Sequence, residues 1–205
     1  MRLKKMSEPS VSYPLLLQNI RRKVDISPEE FQRFVAHFRP RRVKRKEHLL
    51  MEGDIAREQY FINSGCMILY SVDESGERHV IQLGFEEYWM GDLYSFFGNE
   101  PTTFHVQALE DSEVLCLHQR DFDRALRETP IIERFFRLLI QNAYVNTLRR
   151  INRSQADPAE KRYLALLDKH PDIQQRVAQH IIASYLGIKP QSLSRIRRKL
   201  ANNNF

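Results

Sequence analysis

The chain has 205 residues, of which 42% are hydrophobic, enough to fill one large core or two ordinary ones and too many for a disordered chain. Mean hydropathy is -0.52, and the longest apolar runs, such as Leu138 to Ile140, fall far short of the ~20 residues a membrane-spanning helix requires. The net charge is +6 and very unevenly placed: residues 146–205 carry 12 basic and 4 acidic side chains, whereas residues 47–133 carry 5 basic and 18 acidic ones.

Two segments of opposite field imply two tasks, and the positive one suits a polyanion such as DNA. The start of the chain is basic at Arg2, Lys4 and Lys5, but only Leu15-Leu16-Leu17 follows, where a signal peptide needs roughly 7–15 apolar residues. A cytoplasmic protein is therefore expected. Cys66 and Cys116 cannot form a disulfide framework or supply the thiolates of an iron–sulfur cluster from one chain, and they read as buried, inert thiols.

Pro14 to Arg22 and Ser27 to Phe38 read as short helices, the second capped by Ser27, with Pro28 at its first position and Glu29-Glu30 complementing the dipole. A basic cluster, Arg39, Arg41, Arg42, Lys44, Arg45 and Lys46, follows. From His48 to His118 short β-type runs alternate with turn signals at Gly53-Asp54, Asn63-Ser64-Gly65, Asp73 to Gly76, Gly91-Asp92 and Gly98-Asn99, the pattern of a small antiparallel roll. Gln119 to Arg127 is helical.

A long helix is then expected from Thr129, as N-cap, with Pro130 first and Glu133 in the first turn, to about Asn152. It carries two apolar rows. Ile131, Phe135, Leu138, Asn142 and Val145 form a coiled-coil seam expected to pair with a second copy. Phe136, Ile140, Tyr144, Leu148 and Ile151 are expected to pack on the roll. After the polar stretch Asn152 to Ala159 come helices Ala159 to Lys169, Gln174 to Leu186 and Pro190 to about Ala201, the last two joined by Gly187-Ile188-Lys189.

Two helices joined by a tight turn with glycine at its start form a helix-turn-helix, whose second helix can enter the major groove. At about 100° per residue, Leu193, Ile196 and Leu200 share one face, to be packed against Ile182, Leu186 and Ile188. Gln191, Arg195 and Arg198 lie opposite; Ser194, Ser192 and Lys199 flank them, and Arg197 must snorkel. Arginine can donate twice to guanine and glutamine can pair with the adenine edge, while hydroxyls and lysine suit phosphates.

The segment Ile181 to Arg198, IIASYLGIKPQSLSRIRR, resembles the helix-turn-helix of the CRP/FNR transcription regulators. Glu52-Gly53-Asp54, Tyr60 to Gly65 and Gly91-Asp92-Leu93 are similar to the glycine-punctuated β-roll of that family. The resemblance implies a homodimer on a two-fold-symmetric site in double-stranded DNA, with Gln191, Ser194 and Arg195 reading bases and Lys189, Ser192, Arg198 and Lys199 holding phosphates. Many members have glutamate where Gln191 stands, and only Ala201 to Phe205 follow the last helix, leaving no room for the wing common in relatives.

A cyclic phosphate buried in a roll needs a compensating cation. In nucleotide-binding relatives a Gly-Glu-Leu run and a following Arg-Ser pair supply the cradle. The matching candidate pocket here is Gly91, Asp92, Leu93, Thr102 and Thr103, without the arginine and in an acidic surround, so cyclic AMP is not the expected ligand and no cofactor is identified. A cupin-like metal enzyme would need ligands such as His48, His79, His105 and His118, but these are scattered singly with no His-x-His motif. No metal site and no catalytic residues are expected.

The fold expected is α+β: an antiparallel, jelly-roll-like sensor with N-terminal helices over 1–128, a dimerisation helix over 129–152, and an all-α helix-turn-helix domain over 153–205. The function expected is a homodimeric, sequence-specific transcription regulator, with RNA polymerase as a further partner; the alternative is a regulator that answers a cyclic nucleotide or another small ligand.

Overall fold

A computed structural model describes residues 13–202; the basic start at Arg2, Lys4 and Lys5 and the terminal residues 203–205 lie outside them. The N-terminal part contains α1 (Pro14–Arg21), α2 (Pro28–Val35), β1 (Phe38–Val43), β2 (His48–Leu50), β3 (Glu58–Ser64), β4 (Met67–Val72) and β5 (Arg78–Gly84). It continues through β6 (Trp89–Met90), α3 (Leu93–Gly98), β7 (His105–Ala108), β8 (Ser112–His118) and α4 (Gln119–Glu128). A long helix, α5 (Ile131–Ala156), leads to α6 (Ala159–Lys169), α7 (Ile173–Arg176), α8 (Gln179–Tyr185) and α9 (Pro190–Asn202).

The strands form two four-stranded antiparallel sheets, ordered β1-β8-β3-β6 and β2-β7-β4-β5. Phe61, Ile62, Met67, Val106 and Leu115 are fully buried in the main core. Helix α2 opens on a capping box in which Ser27 and Glu30 satisfy each other's backbone amides. It stops three residues before the expected Phe38, because Phe38–Val43 pairs along β8 as an edge strand. An edge is where Pro40 can sit without costing the sheet a hydrogen bond.

Strand β4 is buried at four successive positions, against the usual alternation. Met67 and Leu69 face the main core, while Ile68 and Tyr70 belong to a second core shared with Tyr163, Ile173, Ile181 and Leu193. The C-terminal helices therefore cover the outer face of this sheet, and a sheet covered on both sides reads as a continuous apolar run.

The long helix departs from expectation at both ends. Thr129 closes α4 instead of capping α5 through its hydroxyl; its backbone carbonyl accepts from the Ile132 amide at 3.0 Å. The helix also continues to Ala156, four residues beyond Asn152. Its apolar rows are sorted by position along the helix rather than by face. Ile132, Phe135 and Phe136 are buried in the roll's core, with Ile131, Leu138 and Leu139 packed beside them, so Phe135 is not a surface seam residue. Beyond that point the helix leaves the roll, and Ile140, Tyr144, Leu148 and Ile151, expected to pack on it, are 38–64% exposed. Asn142 and Val145 are exposed too.

The segment expected as one helix from Gln174 to Leu186 is two, α7 and α8, broken at Val177-Ala178, where Val177 adopts an extended conformation with φ -121° and ψ 127°. No helix among the described residues is long and apolar enough to cross a membrane.

Candidate nucleic-acid interface

Helices α8 and α9 meet through the turn at Gly187, whose φ of +67° is a left-handed conformation that glycine adopts without a Cβ clash. Leu193 is fully buried, and Ile196, Leu200 and Ile188 pack beside it against Ile182 and Leu186. That packing turns the opposite side of α9 outward: Gln191, Arg195 and Arg198 are exposed, as is Lys189 at the turn, while Ser192 is half-buried.

Two expected contact residues have other partners. Ser194 is half-buried and accepts a hydrogen bond from Gln179 Nε2. Gln179 also donates to the Pro190 carbonyl at 3.3 Å and accepts from Arg197 at 3.2 Å, which is where the inward-lying Arg197 finds its partner. Lys199 Nζ sits 2.8 Å from Glu160 Oε2, so a phosphate would have to draw it from that pair. Gln179 was not singled out by the sequence; it stands at the first turn of α8 and staples the two helices together.

The C-terminal helices are fastened to the roll by groups distant in sequence. The Val80 amide donates to Ser184 Oγ at 3.0 Å, and that hydroxyl donates to the Arg78 carbonyl at 2.8 Å, so α8 covers the free edge of β5. Arg176 donates to both carboxylate oxygens of Glu86, at 2.7 and 3.1 Å, to Glu110 at 2.6 Å, and to Asp172 at 3.3 Å. Its guanidinium lies 4.9 Å from the centre of the Phe85 ring, on which His170 also stacks at 4.3 Å. Burial opposes ionisation of Glu86, but the Arg176 hydrogen bonds hold its carboxyl below the usual range, and Glu86 raises the Arg176 pKa in return.

Residues 40–129 match the family of the cyclic nucleotide-binding domain. A cyclic AMP receptor protein of Thermus thermophilus is 21% identical over 180 residues, covering 86% of this chain and 83% of that protein. CLP, the c-di-GMP-responsive global regulator of Xanthomonas campestris, is similar in structure with a TM-score of 0.70 at 16% identity, over 87% of this chain and 93% of that one. FixK2 of Bradyrhizobium japonicum gives a TM-score of 0.69 at 15% identity, over 82% and 86%. The chain shares the fold of these solved structures.

Within that shared roll, the expected cradle is closed on itself. Asp92 caps α3 by accepting from the Tyr94 amide at 2.9 Å, and its other oxygen accepts from Thr102 Oγ1 at 2.7 Å. The Thr102 hydroxyl also accepts from the Phe104 amide at 3.1 Å. Both side chains are buried and their polar atoms are used internally, whereas Thr103 and Leu93 are exposed. Gly91 and Leu93 instead line a larger cleft, about 1190 Å³, between the roll, α5 and the C-terminal helices.

The four histidines have local partners. His48 lies 3.0 Å from the Tyr70 hydroxyl, His79 2.6 Å from Asp73, and His105 3.7 Å from Glu52, while His118 Nδ1 accepts from the Arg120 amide at the start of α4. Among the described residues no three His, Cys, Asp or Glu side chains are grouped to hold a metal. Cys66 and Cys116 are buried; desolvation raises both thiols, Cys116 to about 12, leaving them protonated and unreactive at neutral pH.

Proposed function

We propose that this chain is a sequence-specific, DNA-binding transcription regulator that works as a homodimer in the cytoplasm. The observation that carries the reading is the outward row of α9: Gln191, Arg195 and Arg198 are exposed while Leu193 behind them is buried. Arg195 and Gln191 present the donor and acceptor groups that base edges require, Ser194 assists, and Arg198, Lys199, Lys189 and Ser192 hold phosphates. The similarity to regulators such as the Thermus cyclic AMP receptor protein supports this role.

The long helix supplies the dimer contact. Its middle exposes Ile140, Tyr144, Leu148 and Ile151, and on a helix these fall within one quarter of the circumference. An apolar stripe of that length left in water is a binding surface, and a second copy matches it by symmetry. Two reading helices about 34 Å apart then meet successive major grooves. An event in the roll changes DNA affinity by shifting the long helices and hence that spacing. Cyclic AMP is not the signal, because the cradle has no arginine and its hydroxyl is already spent on Asp92. RNA polymerase is the partner through which bound dimers act.

The test is selection from random duplex DNA with the purified full-length chain, followed by fluorescence anisotropy on the enriched sequence. Enrichment of an inverted repeat with half-sites one helical turn apart is expected. Recovery of no consensus at moderate salt would overturn the reading.

A further inference from the structure

We propose that the exposed aromatic face of α3 seats the long helix of a second copy, whose Val145 flank packs against Leu93, Tyr94 and Phe97. Each roll then grips the partner's helix as well as carrying its own. The inference rests on the homodimer reading and names a contact that the helix stripe alone does not supply.

Among the described residues, the large apolar side chains left exposed are concentrated on two elements, the middle of α5 and the short α3. On α3, Leu93, Tyr94 and Phe97 are 38–72% exposed, and at about 100° per residue they share one side of the helix. The other side is bolted down. Phe96 is fully buried, and Ser95 Oγ accepts from the Ala56 amide at 2.8 Å and donates to the Glu100 carbonyl. The three outward side chains therefore cannot turn inward, and a contiguous apolar surface of this kind marks a site of association.

The area points to a second copy as the cover. At ~200 Å² for a fully exposed large side chain, the four residues of the α5 stripe offer about 400 Å² per copy, half of the ~800 Å² that each partner of a stable interface buries. The α3 face together with Val145, itself 42% exposed, adds roughly as much again. The two surfaces combined close the deficit.

Helix geometry brings them together across the pair. With Ile140 at zero and about 100° per residue, the stripe spans about 0–80°, Val145 falls at about 140°, and Phe136, Leu139 and Ala143 fall at about 260–320°. The α3 face stands on this second flank: the Phe97 ring packs 5.7 Å from Phe122, and Phe122 packs 4.9 Å from Phe136, one turn before Ile140. In a parallel pair related by a two-fold axis, opposite flanks of the two helices meet, as e and g positions do in a coiled coil. The flank that carries Val145 on one copy is thus turned toward α3 of the other. Asp92, which caps α3, also holds Thr102, so a change at that clamp is delivered to the partner's helix.

The test is interchain crosslinking in the full-length protein. Tyr94→Cys chains are mixed with differently tagged Val145→Cys chains and treated with a short bismaleimide; the native Cys66 and Cys116 are buried and do not compete. A crosslink joining the two kinds of chain is expected, formed at least tenfold faster than between Tyr94→Cys and Arg124→Cys chains, Arg124 being exposed on α4. By sedimentation equilibrium, Tyr94→Ser and Val145→Ser should each raise the dimer Kd at least tenfold, and the double variant should raise it by less than the product, because the two residues share one contact. Circular dichroism of each variant separates lost association from lost folding.

Three results would overturn the assignment: crosslinking no faster than the Arg124→Cys control, Tyr94→Cys chains joining mainly to one another, or a dimer Kd unchanged by Tyr94→Ser, which leaves α3 to a different partner. A dimer weakened by Leu148→Glu but not by Tyr94→Ser defeats this inference alone. A wild-type chain that stays monomeric defeats the homodimer reading, and this contact with it.

Discussion

The Val80 amide, on the edge strand of the roll, donates its hydrogen bond to the Ser184 hydroxyl on the first helix of the helix-turn-helix. The same hydroxyl passes a hydrogen bond on to the Arg78 carbonyl, closing two backbone groups that an uncovered edge would leave to solvent or to another strand. Ser184→Ala should cost about 1 kcal/mol and lower the hydrogen-exchange protection of the Val80 amide roughly tenfold. Protection equal to wild type would show that α8 stays seated without the hydroxyl.

Arg176 gathers three carboxylates while only 21% exposed. Removing it leaves Glu86 and Glu110 facing each other without a cation, a larger loss than one exposed ion pair gives. Arg176→Ala is expected to destabilise the docked arrangement by about 2 kcal/mol, read as a lower urea midpoint and as early proteolytic cleavage between α5 and α6. Double replacement of Glu86 and Glu110 by glutamine should be milder, because no like charges remain.

The same contact makes docking sensitive to acid. Burial, then Lys169 and Arg176, lower the His170 pKa from its ordinary 6.5, against opposing pulls from Asp172 and Glu86. A histidine favoured in its neutral form contributes stability that is complete above 6.5 and lost as pH falls through its lowered folded value. Glu86, also lowered, contributes in full above 4.5 and loses its share as pH falls further. Val80 exchange protection, corrected for intrinsic rates, should therefore fall in two stages between pH 7 and pH 3. His170→Phe should abolish the first stage and leave the second.

The long helix offers a paired test. Leu148 is 48% exposed and Phe135 fully buried. Leu148→Glu should give a monomeric mass by light scattering with an unchanged circular dichroism spectrum. Phe135→Ala should keep the wild-type mass while losing about 3–5 kcal/mol of stability.

On DNA, Arg195→Ala should cost about 1–3 kcal/mol at the selected site and relax sequence preference, whereas Lys199→Ala should weaken specific and random duplexes alike. Because Lys199 already holds Glu160 at 2.8 Å, its effect should be the smaller one. Equal losses on both kinds of DNA for both variants would contradict the division of roles.

What could be read from the sequence was what is encoded locally. The turn at Gly187, the start at Pro190 and the spacing of Leu193, Ile196 and Leu200 specify a helix-turn-helix within about twenty residues, and α9 follows them closely. The rows of the long helix were visible as periodicity, but periodicity does not say which neighbour each row meets; the roll simply ends near Ile140. Strand β1 was obscured because Arg39, Pro40, Arg41 and Arg42 look like a loop, although an edge strand tolerates both charge and proline. The seat of Arg176 could not be read at all, since its partners Glu86 and Glu110 are 90 and 66 residues away. In the cradle, the missing arginine was legible, but the Asp92–Thr102 hydrogen bond that closes it was not.

Arg162 donates to the Ser154 and Asp157 carbonyls at the end of α5, at 2.7 and 3.0 Å, and to the Leu186 carbonyl at the end of α8, at 3.0 Å. A single planar group thus ties the tail of the long rod to the bend before α9, where helix ends favour a cation. Torque applied to the rod arrives at the bend with little backlash, and the short Asp157-Pro158 joint behaves as a coupling rather than as slack.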